Sequence, residues 1–217
     1  MTDTGDTQPK ERQVSPFQAA ATSFVHDLDA LREVLDPVMI MAVTVSQDAD
    51  AKHLKALEKY GTLKNEDEDK KVFDVPAAHL NEIKLVARKN ARAETAVELL
   101  PRTFLVSFVS VYDAYLGRLI KTLLETRTEI LESSERQLSY KQLAQFDSID
   151  TARSRIIESE VESILRQSHS DQFKWLEKKF NIKLTSGLAS WQTFIELTER
   201  RNLFVHTHGV VSSQYVN

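Results

Sequence analysis

Residues 101–124 read PRTFLVSFVSVYDAYLGRLIKTLL, and their periodicity decides the fold. Phe104, Phe108, Val111, Tyr115, Leu116, Leu119, Ile120 and Leu123 recur at intervals of three and four. That spacing stacks side chains on one face of a helix, whereas a half-buried strand alternates every second residue. Pro101 suits a first helical turn, where its missing N–H costs nothing. The pattern predicts one long helix from Pro101 to about Leu131.

Outward from this helix the same period returns. Leu80, Ile83, Val86 and Ala87 mark a helix near 76–99, with Lys84, Arg88, Lys89 and Arg92 mainly on its other faces. Those cations suit a solvated face, or contact with a phosphate backbone. Phe24, Leu28, Leu31 and Leu35 form a further stripe, and Pro37 then predicts a break or kink. The apolar run VMIMAVTV (38–45) is expected to be well buried, with a short helix after it at 49–60. KNEDEDKK (64–71) has no apolar anchor and reads as a solvated loop.

Towards the C-terminus, Ser139 with Gln142 three residues later is a capping box. Helices follow at 150–168, with Ile156, Ile157, Val161, Ile164 and Leu165 inward, and at Phe173–Phe180, ended by Asn181. A last helix begins after Thr185-Ser186-Gly187 and runs through Trp191 into ERRNLFVHTHG (199–209). The fold class expected is all-α. The organisation expected is a disordered tail over 1–14, an N-terminal helical region over 15–99 and a helical domain over 100–217.

Composition narrows the chemistry. The 217 residues are 41% hydrophobic and 28% charged, with five glycines, five prolines and a net charge of −4. So few turn-formers agree with helices. The acidic balance argues against a wholly basic nucleic-acid-binding surface but leaves room for a local basic groove. Without cysteine there are no disulfides, thiolate nucleophiles or Cys-ligated zinc. No secretory leader and no run of about 18 apolar residues is visible, so a cytoplasmic protein without a membrane segment is expected. Phosphate-binding loops, dinucleotide fingerprints and Gly-flanked serine elbows are missing too.

The terminal stretch concentrates the polar chemistry. With Trp191 at zero on a helical wheel, Leu188, Phe194, Ile195, Thr198 and Val205 fall within about 60°, the expected buried stripe. Asn202 lands about 20° away, His206 about 60°, Glu199 about 80° and Arg201 about −80°, while Arg200 points outward. Polar groups on a buried face need partners, since an unpaired one costs about 1–3 kcal/mol. Asp113, amid the apolar positions of the long helix, is a candidate partner for Arg201 or another cation. His26, His53, His79 and His169 are scattered and read as surface or packing residues. His206-Thr207-His208 lacks a third ligand nearby, so neither a metal nor another cofactor is expected. Gly209 is the natural stop for the helix.

Arg201-Asn202-Leu203-Phe204-Val205-His206 resembles the R-x4-6-H motif of the HEPN (higher eukaryotes and prokaryotes nucleotide-binding) superfamily, in its R-N-x-x-x-H form. Glu199 before it, the His206-x-x-Gly209 follow-on and Tyr215 look like the close of many such domains. SVYDAYLGRLI (110–120) is similar to a helix they carry, and the resemblance covers about 100–217. It implies a HEPN-like antiparallel helical bundle with additional N-terminal helices. The implied activity is a metal-independent endoribonuclease working at a homodimer cleft, as a toxin or antiviral-defence effector. RNA would be the substrate, and an antitoxin or regulatory domain a further partner. Arg201, His206 and Asn202 take the catalytic positions, with Glu199, Asp113 and His208 in support. The alternative is a non-catalytic HEPN module for dimerisation or for binding RNA or nucleotides.

Overall fold

The computed structural model describes residues 14–67, 70–132, 138–207 and 209–210. The tail expected over 1–14 therefore falls almost wholly outside the described residues, as do His208 and Tyr215. The fold is all-α apart from one hairpin: α1 (Pro16–Tyr60), β1 (Thr62–Asp67), β2 (Lys70–Asp74), a 3-10 turn (Ala77–His79), α2 (Leu80–Thr126), α3 (Thr128–Glu132), α4 (Tyr140–Leu143), α5 (Ile149–Leu165), α6 (His169–Phe180) and α7 (Trp191–Thr207).

Several expectations need correction. Pro37 does not end a helix: α1 runs through it for 45 residues, absorbing the helix expected at 49–60. Pro101 lies inside α2, so the two helices expected at 76–99 and 101–131 are one helix of 47 residues. Both prolines are exposed, so a carbonyl left without its N–H partner can bond to water. The boundary expected at 99/100 falls within α2. Contacts divide the chain instead into one unit of 14–27 and 110–195, and another of 28–109 and 196–210, over the described residues.

KNEDEDKK is not a loop but most of the antiparallel hairpin β1–β2, in which Leu63 faces Phe73 and Asn65 faces Val72. The run 38–45 is helical but not well buried, with Ile40 67% and Met41 62% exposed. An apolar run has no helical phase to choose its inner side. The neighbouring half-buried positions, Leu31, Leu35, Ala49 and Leu57, decide it.

The first unit holds the largest core: Leu116, Ile120 and Leu124 of α2 against Ile130 of α3, Ile157 and Ile164 of α5 and Leu176 of α6. Ile120 and Leu124 are fully buried, each contributing about 1.5–3 kcal/mol relative to exposure. Serine caps start the short helices. Ser139 and Gln142 form the expected reciprocal box on α4, and Ser148 and Ser168 accept from Thr151 N and Asp171 N. Asn181 ends α6 in the left-handed region, as read from sequence. Buried Gln172 donates to the carbonyls of Leu165 and Gln167, satisfying the orphan acceptors at the end of α5.

In the second unit, the Asn90 amide donates to Asp50 (3.3 Å) and Glu94 (2.9 Å), and the Tyr60 hydroxyl donates to Glu82 (3.1 Å). These contacts set α1 and α2 antiparallel, with the hairpin at their turn. Tyr60 also stacks on His79 at 4.4 Å between ring centroids. Among the described residues, the 3-10 turn with α2 makes the one helix long and apolar enough to cross a membrane by length and composition, a test that core helices of soluble proteins also pass.

Candidate functional site

The first half of α7 is fixed by aromatic packing in the first unit. Phe194 meets Tyr112 edge-on at 4.9 Å, and Trp191 meets Phe173 at 4.7 Å. Such pairs are each worth about 0.5–1.5 kcal/mol beyond the area they bury. Thr198 is fully buried. The expected stripe is thus present through Phe194, Ile195 and Thr198, but its ends are not buried: Leu188 is 50% and Val205 51% exposed.

The second half of α7 carries the candidate residues. The two arginines separate as their helical phase predicts. Arg200 is exposed, and its guanidinium donates to Glu196 one turn earlier. Arg201 is half-buried, and its Nη1 donates to Asn202 Oδ1 at 3.0 Å. Asn202 and Glu199 are also half-buried, and His206 stands exposed in the last turn. The helix ends where Gly209 takes φ 84°, with its N–H on the Leu203 carbonyl at 3.0 Å.

Five residues at about 100° each put Arg201 and His206 about 140° apart around α7. Neither side chain of that pair aims where the other does. Asn202 lies between them and holds the guanidinium from one side.

Asp113 pairs with a histidine that sequence reading left among packing residues. His169 Nε2 lies 2.9 Å from Asp113 Oδ1, with the imidazole 7% exposed and the carboxylate 29%. His169 opens α6 directly after its Ser168 cap, and its ring contacts Tyr112 at 5.7 Å and Phe194 at 5.9 Å. Burial, and next the Asp113 charge, push the Tyr112 hydroxyl well above the usual phenol range. The sequence signal for His169 was its place at the start of a capped helix whose apolar face holds Phe173 and Leu176.

Arg102 was also missed. It sits half-buried with its guanidinium 5.5 Å from the centroid of the Phe204 ring, two residues before His206. Leu99, Arg102, Thr103, Val106 and Phe204 line a cavity of about 220 Å³. Larger cavities, of about 380 and 560 Å³, are lined by α4 and α5 and share Leu138 and Ile156, and Thr128 and Leu131 of α3 also line the second. Among the described residues, no three His, Asp or Glu side chains gather as metal ligands. Searches of family models, curated proteins and solved structures find no match to the chain.

Proposed function

We propose that this chain is a metal-independent endoribonuclease of HEPN type, active as a homodimer and serving as a toxin or antiviral-defence effector. The observation that carries the reading is the end of α7: Arg201 held by Asn202, with His206 exposed one and a half turns later.

RNA brings its own nucleophile, the 2′-OH beside the scissile phosphate. A histidine takes the 2′-OH proton as the 2′-oxygen bonds to phosphorus. The P–O5′ bond breaks, and the leaving 5′-oxygen gains a proton from a second acid. The products are a 2′,3′-cyclic phosphate and a 5′-OH, with no water consumed. Arginine stays protonated, so Arg201 serves as the planar fork for charge developing on the phosphoryl oxygens. Asn202 orients that fork.

Two proton transfers need two groups, and Arg201 and His206 of one copy point about 140° apart. A two-fold axis beside α7 supplies a second histidine and a second arginine to one cleft, which is why the homodimer belongs to the reading. The test is incubation of RNA with the chain in EDTA, beside His206→Ala and Arg201→Ala. Each substitution should lower the rate about 10²–10⁴-fold, the range for removing one acid–base or charge-stabilising group. Intact RNA with the unmodified chain, or unimpaired cleavage by the variants, overturns the assignment.

A further inference from the structure

The second unit carries a row of cations that the proposed cleavage step does not use. Lys84, Arg88 and Arg92 follow one another at i, i+4 and i+8 on α2, all exposed, and Arg102 stands beyond them, half-buried. On a helical wheel the four lie within about 80° of one another, and Arg102 returns to the azimuth of Lys84 after five turns. The row is about 27 Å long at 1.5 Å per residue, with about 6 Å of rise between the first three.

A helical cation can be neutralised by a carboxylate three or four residues away, as Lys52 is by Asp48 and Arg200 by Glu196. These four form no ion pair among the described residues, although acids surround them. Glu82 accepts from Tyr60, and Glu94 and Asp50 are taken by Asn90. Glu98, about 40° off the row, lies at its edge. Acids outnumber bases in the chain by 32 to 28, so four cations in line on one helix face, none of them paired with a described carboxylate, are a local concentration of positive charge.

The row also has a direction. Its last member, Arg102, packs on Phe204 of α7, inside the Arg201–His206 segment, beside the 220 Å³ cavity. We infer that this face of α2 is a track for the backbone of single-stranded RNA, leading the strand to the end of α7. Lys84, Arg88 and Arg92 each neutralise a phosphate, and Arg102 holds the phosphate next to the reacting one. An unpaired strand fits better than a duplex, because a straight row on one helix follows one flexible backbone, whereas a duplex presents two strands across a groove. The inference rests on α7 being the RNA-cleaving end.

The test uses the full chain carrying His206→Ala, so that bound RNA stays intact. Binding of a labelled single-stranded oligonucleotide is followed by fluorescence anisotropy over a salt series. Replacing Lys84, Arg88 and Arg92 together by Gln should weaken binding at least about tenfold and flatten the slope of log Kd against log salt by about 2, three contacts at about 0.7 each. Lys52→Gln with Lys55→Gln on α1 is the control and should leave both values unchanged. In the chain with His206 intact, the triple variant should raise KM and keep kcat. Equal affinity and slope in parent and triple variant overturn the track, as does binding to anionic phospholipid vesicles but not to RNA. Cleavage with an unaltered KM in the triple variant sinks the track and spares the catalytic reading. Track-dependent binding by a chain that leaves RNA intact in EDTA does the reverse.

Discussion

Replacing His169 distinguishes an imidazole that holds the fold from one that reacts. The side chain is 7% exposed, bonds Asp113 at 2.9 Å and touches Tyr112 and Phe194. A hydrogen bond to a charged group contributes about 1.5–3 kcal/mol, and each aromatic contact about 0.5–1.5 kcal/mol. His169→Ala loses all three, so about 2.5–6 kcal/mol. At about 2–4 °C per kcal/mol for a chain of this size, Tm should fall by about 5–24 °C. His169→Phe keeps the ring contacts and loses only the bond. Asp113 is 29% exposed and can rehydrate, so the lower figure of about 1.5 kcal/mol applies and Tm should fall by about 3–6 °C. Calorimetry of the three chains gives the order wild type, Phe, Ala. Equal melting of wild type and His169→Ala, or His169→Phe melting as low as His169→Ala, would refute the reasoning. RNA cleavage at a temperature where all three are folded should stay within a few-fold, because none of these contacts touches the proposed reacting groups.

Three further outcomes follow from the same geometry. Glu177 accepts from Leu184 N, Thr185 N and the Thr185 hydroxyl at 2.8–3.0 Å, and these bonds hold its carboxyl below the usual range. Its stabilisation is therefore present above the ordinary glutamate pKa and lost as pH falls through the lower folded value; Glu177→Gln should flatten the acid limb of a Tm-against-pH curve, and an unchanged limb counts against it. At Gly117 an added Cβ would lie 3.1 Å from Leu165 Cδ1, a movable side-chain end. Gly117→Ala should be near neutral, since the crowding offsets a helix gain of about 1 kcal/mol, whereas Gly117→Val should cost about 1–3 kcal/mol in urea unfolding; equal effects would place the contact elsewhere. Ile40→Gln with Met41→Gln should shift Tm by no more than about 2 °C, because both side chains are exposed; a larger loss would mean they are covered.

The all-α class was legible because Leu116 and Ile120 keep helical spacing, and both are in the core. The Ser139 box and the Asn181 terminus were legible because capping is decided within a few residues. The continuity of α1 and α2 was not. Whether a proline breaks a helix depends on whether the freed carbonyl meets water, which is a property of exposure. The hairpin escaped notice because its pairing joins Leu63 to Phe73 across a charged run without period-two alternation. At the site, helical phase placed Arg200 outward and Arg201 beside Asn202, since both facts belong to one helix. His169 with Asp113 and Arg102 with Phe204 join residues 56 and 102 positions apart, and no local pattern reports such pairs.

Neither compact unit is continuous along the chain, and α2 contributes residues to both. During synthesis, the α1–α2 hairpin over 28–109 can form its internal contacts, such as Asn90 with Asp50 and Tyr60 with Glu82, as soon as α2 is made. Residues 16–27 emerge before 110–195 and must wait for that stretch to be made before Phe24 has Tyr112 and Tyr115 to pack on. The end of α7, with Arg201 and His206, is made after α1 to α6. The order of translation thus delays the proposed reactive end until both helices of the α1–α2 hairpin and the core around α5 and α6 have been made.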